Sequence, residues 1–171
     1  MRISRLPRSR NHLRRIVARM ELPVPWNRDE LVNSVARRRG RPILVVPVAH
    51  ALVRGGHFGL WLARATDDVI LYAAGTSDVH ATHIICHELA HMELGHDRDA
   101  VGDTSVDSRV LAEAAPSVDT TNVVKVFGRS NYSNDQEYDA ELLATLIMSG
   151  RRSTTCETGG DPRASRMLGT F

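Results

Sequence analysis

The sequence predicts an α+β fold, a small, mainly antiparallel three-stranded sheet packed with helices, and three observations carry that expectation. Three short apolar, β-branched runs lie close together between Pro42 and Ala74. Segments with helical apolar spacing and legible capping residues flank them on both sides. With 171 residues, 42% of them hydrophobic, the chain is long enough for one domain with a core of its own.

Residues 9–20 place Leu13, Ile16, Val17 and Met20 at helical spacing with Arg10, Arg14, Arg15 and Arg19 on the other sides, an amphipathic basic helix. Pro23 and Pro25 break it, because each biases its predecessor away from the helical region. A second helix starts at Asn27, with Glu30 as its capping-box partner and Asp29 favouring the same terminus. It carries Leu31, Val32 and Val35 and runs into Arg37-Arg38-Arg39, cations that suit a helix C-terminus. Gly40 supplies the stop.

Pro42 to Val48, His57 to Arg64 and Val69 to Ala74 read as strands. Thr66-Asp67-Asp68 turns the second into the third. Consecutive strands this close are expected to pair antiparallel, with helices over at least one face of the sheet. Thr76-Ser77-Asp78 offers N-cap residues for a helix from about Val79 through Leu94, ended by Gly95. Residues 97–134 are polar, with a short helical stretch at Arg109 to Ala115 and an apolar patch at Val123 to Phe127. Ser133 and Gln136 form a capping box for a last helix carrying Tyr138, Leu142, Leu143, Leu146 and Ile147, expected to stop at Gly150. The organisation that follows is a basic N-terminal helix or arm (1–21), a single domain (22–150) and a polar C-terminal tail (151–171).

The net charge of +2 hides a segregation. Residues 1–41 hold twelve Arg against three acids, net +9, while residues 42–171 hold ten bases against seventeen acids, net −7. Such an Arg-rich front can contact nucleic acid, hold an acidic partner or dock on the acidic remainder of its own chain. Residues 1–20 carry seven Arg and no continuous apolar core, unlike a secretory signal. The longest apolar run, Ile43 to Val53, is too short to span a bilayer. Two cysteines, Cys86 and Cys156, make no disulfide framework. The expected location is cytoplasmic, away from membranes.

The chemistry concentrates in His87-Glu88-Leu89-Ala90-His91. On a helix, residues four apart share a face, so His87 and His91 can grip one metal ion. Glu88, one residue on, projects to the flank, where it can serve a water as general base without being a ligand. With eight His and eight Glu in the chain, this pattern arises by chance only about 0.02 times. Its flanks, Ile84-Ile85 and Leu89-Ala90, suit a helix set into a core. Cys86 there reads as a small buried hydrophobe rather than a redox sensor. A His83/His87 pair shares roughly the same face but lacks the adjacent Glu.

A catalytic zinc site takes three protein ligands and an open position. Asp97 is one candidate for the third, although the Gly-x-x-His continuation that follows some zinc motifs is out of register at Gly95 and His96. The other is a later helix, where Glu137 and Glu141 share a face and Asp139 points away. There Glu137 could coordinate the metal and Glu141 accept a hydrogen bond from a ligand imidazole.

His87-Glu-Leu-Ala-His91 together with Glu137-Tyr-Asp-Ala-Glu141-Leu-Leu-Ala144, in a chain that also carries Leu22-Pro-Val-Pro25 and Gly40-Arg-Pro-Ile43, resembles the ImmA/IrrE family of metallopeptidases. The likeness spans about residues 22–148. It implies a zincin-like active-site helix, Zn2+ held by His87, His91 and Glu137, and Glu88 as catalytic glutamate. It also implies a zinc metalloendopeptidase acting on a protein substrate, typically a helix-turn-helix transcriptional repressor. Glu141 stands where the family usually has Asp or Asn, Ser149-Gly150 replaces a common proline, and the long interval after His91 suggests an inserted loop. For the oxyanion donor, His83, Tyr132 and Arg129 are nearby in sequence. The competing expectation is a non-catalytic metal-binding regulatory or toxin-like module that acts by binding protein or DNA.

Overall fold

A computed structural model describes residues 7–49, 59–98, 108–128 and 131–157. The elements follow in the order α1 (Arg10–Arg19), α2 (Arg28–Arg39), β1 (Ile43–Val48), β2 (Gly59–Arg64), β3 (Asp68–Ala73), α3 (Asp78–Leu94), a 3-10 turn (His96–Arg98), α4 (Ser108–Ala114), β4 (Val123–Phe127) and α5 (Asn134–Glu157). The class is α+β, as the sequence predicts.

The sheet has four strands rather than three, in the order β1-β3-β2-β4. The apolar patch at Val123 to Phe127 is the extra one, antiparallel to β2, with Trp61 opposite Phe127 and Leu62 opposite Val126. The expected pairing of consecutive strands holds only for β2 with β3, which are joined by the tight turn at Ala65 to Asp67. Strand β1 lies on the far side of β3 and runs parallel to it, Ile43 opposite Asp68 and Val48 opposite Ala73. A parallel partner needs a crossover connection, and the chain between β1 and β3, which contains β2, is long enough to make one.

Alternation along the strands sorts the apolar residues into two cores. Trp61, Ile70 and Phe127 face a helical layer containing Leu13 and Met20 of the N-terminal segment, Leu31 and Val35 of α2, Ile85 and Leu89 of α3, and Leu143 and Ile147 of α5. Leu62, Val69, Leu71 and Val126 face the opposite way, onto Leu111, Ala115 and Val118. Both faces of the sheet are therefore covered. The basic N-terminal helix is part of the core, since Leu13 is fully buried and α1 packs on α5. The last helix passes Gly150 and continues to Glu157.

Local signals end the helices where expected. Asn27 caps α2 by accepting from the Glu30 amide at 3.0 Å, and Ser77 caps α3 by accepting from His80. Gly40 and Gly95 close the same helices in the left-handed conformation, each with φ +67°. Ser133 and Gln136 bond reciprocally at the start of α5, at 2.9 and 3.3 Å. Among the described residues, no helix is long and apolar enough to cross a membrane.

Much of the basic front is tied to acids of the later chain. Asp68, 1% exposed, accepts from Trp61 Nε1 at 3.0 Å and pairs with Arg39 and Arg41 at 3.3 and 3.4 Å. Arg39 also lies over the Trp61 ring, 5.0 Å from its centroid. Removing this carboxylate strands a buried indole N–H beside two arginines. Asp68→Ala should therefore cost about 3–5 kcal/mol in urea unfolding, and an unchanged midpoint would refute that role.

Candidate metal centre

Helix α3 is a buried helix. Ile85, Cys86, Leu89, Ala90 and His91 are fully enclosed, and Glu88 is 5% exposed. Cys86 is a free, buried cysteine, consistent with its reading as a core residue. The four-residue spacing brings His87 Nε2 and His91 Nε2 to 3.1 Å. From α5, Glu137 sets its carboxylate between them, Oε2 at 3.5 Å from His87 Nε2 and Oε1 at 3.5 Å from His91 Nε2. Among the described residues, His87, His91 and Glu137 are the group whose donor atoms converge, all within 4.8 Å of one another.

That donor set suits zinc. Two imidazoles and a carboxylate leave one position of a tetrahedron open. Tetrahedral bonds of about 2.0–2.1 Å place ligand atoms about 3.3–3.4 Å apart, close to the separations found. The remaining carboxylate, Glu88, has a buried Oε2 with no hydrogen-bond partner among the described residues. A buried acid oxygen in that condition is costly unless a reactant or ion meets it.

The other candidates go elsewhere. Asp97 turns to Arg39 at 3.8 Å, and His83 bonds Glu141 at 3.1 and 3.2 Å. Glu141 reaches His87 Nδ1 only at 3.5 Å, so it bridges the two imidazoles with the shorter contact to His83. Asp139 points away from the cluster and accepts the backbone N–H of Arg8. Arg129 lies outside the described residues.

Three neighbours hold positions at the centre that sequence reasoning does not assign them. Gly95 turns the chain back beneath α3, which puts His96 Nδ1 3.0 Å from His91 Nδ1. The signal was present as an out-of-step motif, but its meaning depends on the reversal. Tyr132 stacks on the His91 ring with centroids 3.8 Å apart and planes 21° from parallel. Gly59, at the start of β2, passes so close that a Cβ there would sit 2.6 Å from Glu88 Oε1 and 2.7 Å from Ile84 Cγ2.

Electrostatics follow from burial and crowding. Burial pushes the Glu88 carboxyl up from 4.5 to about 7, with His87 opposing and Glu137 adding to the rise. Burial acts to lower His87, but contact with Glu137 and the charges of Glu88, Glu137 and Glu141 outweigh it and leave His87 above its ordinary value. His91 is held well below its usual range by burial, reinforced by His87 and His96. Tyr132 keeps its proton because burial and nearby acids disfavour the phenolate.

Both raised groups bind protons more tightly in the folded state, so their stabilising contribution to the metal-stripped protein is lost as pH rises. For Glu88 it is whole below about pH 4.5 and falls away through about pH 7; the His87 contribution disappears above its ordinary 6.5. His91, lowered by burial, contributes in the opposite sense below its ordinary 6.5, so the Glu88 contribution is read as a difference: the urea midpoint of chelator-treated wild type should fall relative to that of Glu88→Gln as pH rises through about 7. A difference between the two proteins that does not change with pH would contradict this. Gly59→Ala should cost about 1–3 kcal/mol through overpacking against Glu88 while zinc stoichiometry stays at wild type; a neutral effect on stability would refute the close approach.

No family model, no curated protein and no solved structure matches the chain.

Proposed function

We propose that the chain is a zinc-dependent metalloendopeptidase of the ImmA/IrrE kind, with His87, His91 and Glu137 as metal ligands and Glu88 as general base. The observation that carries the reading is Glu88 itself, a buried carboxylate beside the converging donors with one oxygen lacking a hydrogen-bond partner among the described residues. A purely structural metal site has no use for such a group, and burying it is unfavourable.

Zinc held by this set supplies Lewis acidity to a peptide carbonyl and lowers the pKa of water toward about 7. Glu88, buried beside the converging donors, takes the proton from the attacking water and delivers it to the leaving nitrogen. Gly59 leaves room for that carboxylate, and Tyr132 and His96 hold the plane of His91. Of the two oxyanion candidates described, Tyr132 is the better, because it is a neutral donor whose buried hydroxyl has no hydrogen-bond partner among the described residues. His83 is engaged by Glu141.

The substrate reading, a helix-turn-helix repressor in the cytoplasm, comes from the sequence resemblance. A surface feature favours a second activity beside it, contact with nucleic acid. Arg8, Arg28, Arg38, Arg39 and Arg41 are paired within the chain. Arg10, Arg14, Arg15 and Arg19 instead stand exposed along the outer side of α1. A basic helix face binds phosphates with steep salt dependence, and DNA binding insensitive to salt would count against it.

Glu88→Gln should keep one zinc per chain and lower repressor cleavage by at least about 100-fold, the scale of a lost general base. Glu137→Ala should lose the metal and Asp97→Ala retain it. Full cleavage by Glu88→Gln would end the mechanism, and metal loss only in Asp97→Ala would overturn the third ligand.

A further inference from the structure

On the helical side of the sheet, β2 sets Trp61 and Ala63 on one face and β4 sets Lys125 and Phe127 beside them, since strand residues two apart share a face. The register aligns Asp68, Ala63 and Lys125 in one row across β3, β2 and β4, and Ile70, Trp61 and Phe127 in the next. The second row is filled and buried. The first has only a methyl group at its middle, and a cavity of about 320 Å3 lies there. Arg39 at the end of α2, Arg41 just after it and Asp97 of the 3-10 turn contribute to its lining. That volume falls at the lower end of small-molecule sites.

The charges around the cavity are unevenly matched. Arg64 is held by Asp67 through two hydrogen bonds, a self-contained pair. The other two acids are already answered. Asp68 serves Trp61 Nε1, Arg39 and Arg41, and Asp97 meets Arg39. Three cations, Arg39, Arg41 and Lys125, therefore stand against two carboxylates. Arg41 shares Oδ2 of Asp68 with Arg39, and its Nε makes no hydrogen bond among the described residues. Across Ala63 from this group, Lys125 is exposed and forms no ion pair among the described residues.

Surplus positive charge at a cleft with apolar walls focuses its field on the space between. The matching ligand is a compact anion whose oxygens reach donors on two sides. A phosphate has three such oxygens pointing in different directions, whereas the two of a carboxylate lie in one plane; guanidinium and ammonium groups both bind it well. The walls beyond the charges offer nothing polar, because Ala63 and Phe127 have no polar side-chain atom and the single N–H of the Trp61 side chain is spent on Asp68.

We propose that this cavity binds a phosphate monoester with a small apolar body, its phosphate between Lys125 and the Arg39–Arg41 side and its body over Ala63 against Trp61 and Phe127. None of the proposed metal ligands lines the cavity, so the inference stands apart from the metallopeptidase reading.

The test is titration of the full chain, with zinc added, by phenyl phosphate, inorganic phosphate and benzoate, followed in proton–nitrogen spectra. Phenyl phosphate should shift the Trp61 indole N–H and the Lys125 amide together, and inorganic phosphate should shift the same signals at lower affinity. Lys125→Ala should weaken phenyl phosphate by about 10-fold, the scale of one hydrogen bond to a charged group. Ala63→Leu, which fills the cavity and keeps every charge, should abolish its binding. Arg37→Ala removes an exposed cation at the same helix end but outside the lining, and should match wild type. Equal weakening by Arg37→Ala and Lys125→Ala would reduce the effect to diffuse surface charge and overturn the site. Benzoate binding as tightly as phenyl phosphate would overturn the phosphate assignment, and inorganic phosphate binding as tightly would overturn the role of the apolar walls. Should Ala63→Leu fail to fold, the wild-type spectra decide. Shifts confined to the surroundings of His87 would place the anion on the metal and overturn the proposal, as would no shift at Trp61 and Lys125.

Discussion

The packing of α3 against α5 is the constraint on which the rest of the site depends. A single carboxylate has to reach between two imidazoles on another helix, and a carboxylate on a two-carbon stem does so only if the helices approach closely. The core containing this contact is rich in small side chains, with Cys86 and Ala90 on α3 and Ala140 and Ala144 on α5 all fully buried. Interhelical distance depends on the side chains at the contact, and small ones bring the axes together. Leu89 and Leu143 fill the remaining space. The sheet supports the arrangement from beneath, and its strand β2 begins at Gly59, the one residue type that leaves room for the Glu88 carboxylate.

Close approach concentrates like charges. Glu88, Glu137 and Glu141 gather around His87, while His91 is enclosed by His87, His96 and Tyr132. Burial raises the Glu88 carboxyl, and the surrounding carboxylates raise His87 against the effect of its own burial, so both titrate above their ordinary values. A divalent cation answers the same field more strongly, and protons and metal compete for the same donor atoms.

The basic front of the chain takes on two roles. Arg38 pairs with Glu93 of α3 at 2.8 Å, Arg39 and Arg41 enclose Asp68, and Arg28 meets Asp78 at the start of α3. These contacts join the positive first part of the chain to the negative remainder, one of the options open from charge alone. The α1 arginines are not absorbed in this way, because the apolar stripe of Leu13, Ile16, Val17 and Met20 turns inward and leaves them outside. Arg8, just ahead of that helix, ends beside His96, so the same segment touches both the surface and the centre.

Sequence alone determined what lies within reach of a helical turn or a cap. Asn27 with Gly40 and Ser77 with Gly95 bracket α2 and α3, Ser133 with Gln136 starts α5, and the spacing of His87 and His91 puts both imidazoles on one face with Glu88 beside them. These features depend on the chain's local periods, which any reader of the residues shares. Tertiary structure alone decided the pairings between distant strands, β1 beside β3 and Val123–Phe127 as a fourth strand, and it brought Glu137, the acid the resemblance implied, to the two imidazoles while Asp97 turned to Arg39. It also set Gly59 against Glu88 and folded His96 back onto His91. Such contacts depend on how two cores close on a common sheet, and a residue's neighbours across that closure leave no mark in its own stretch of sequence.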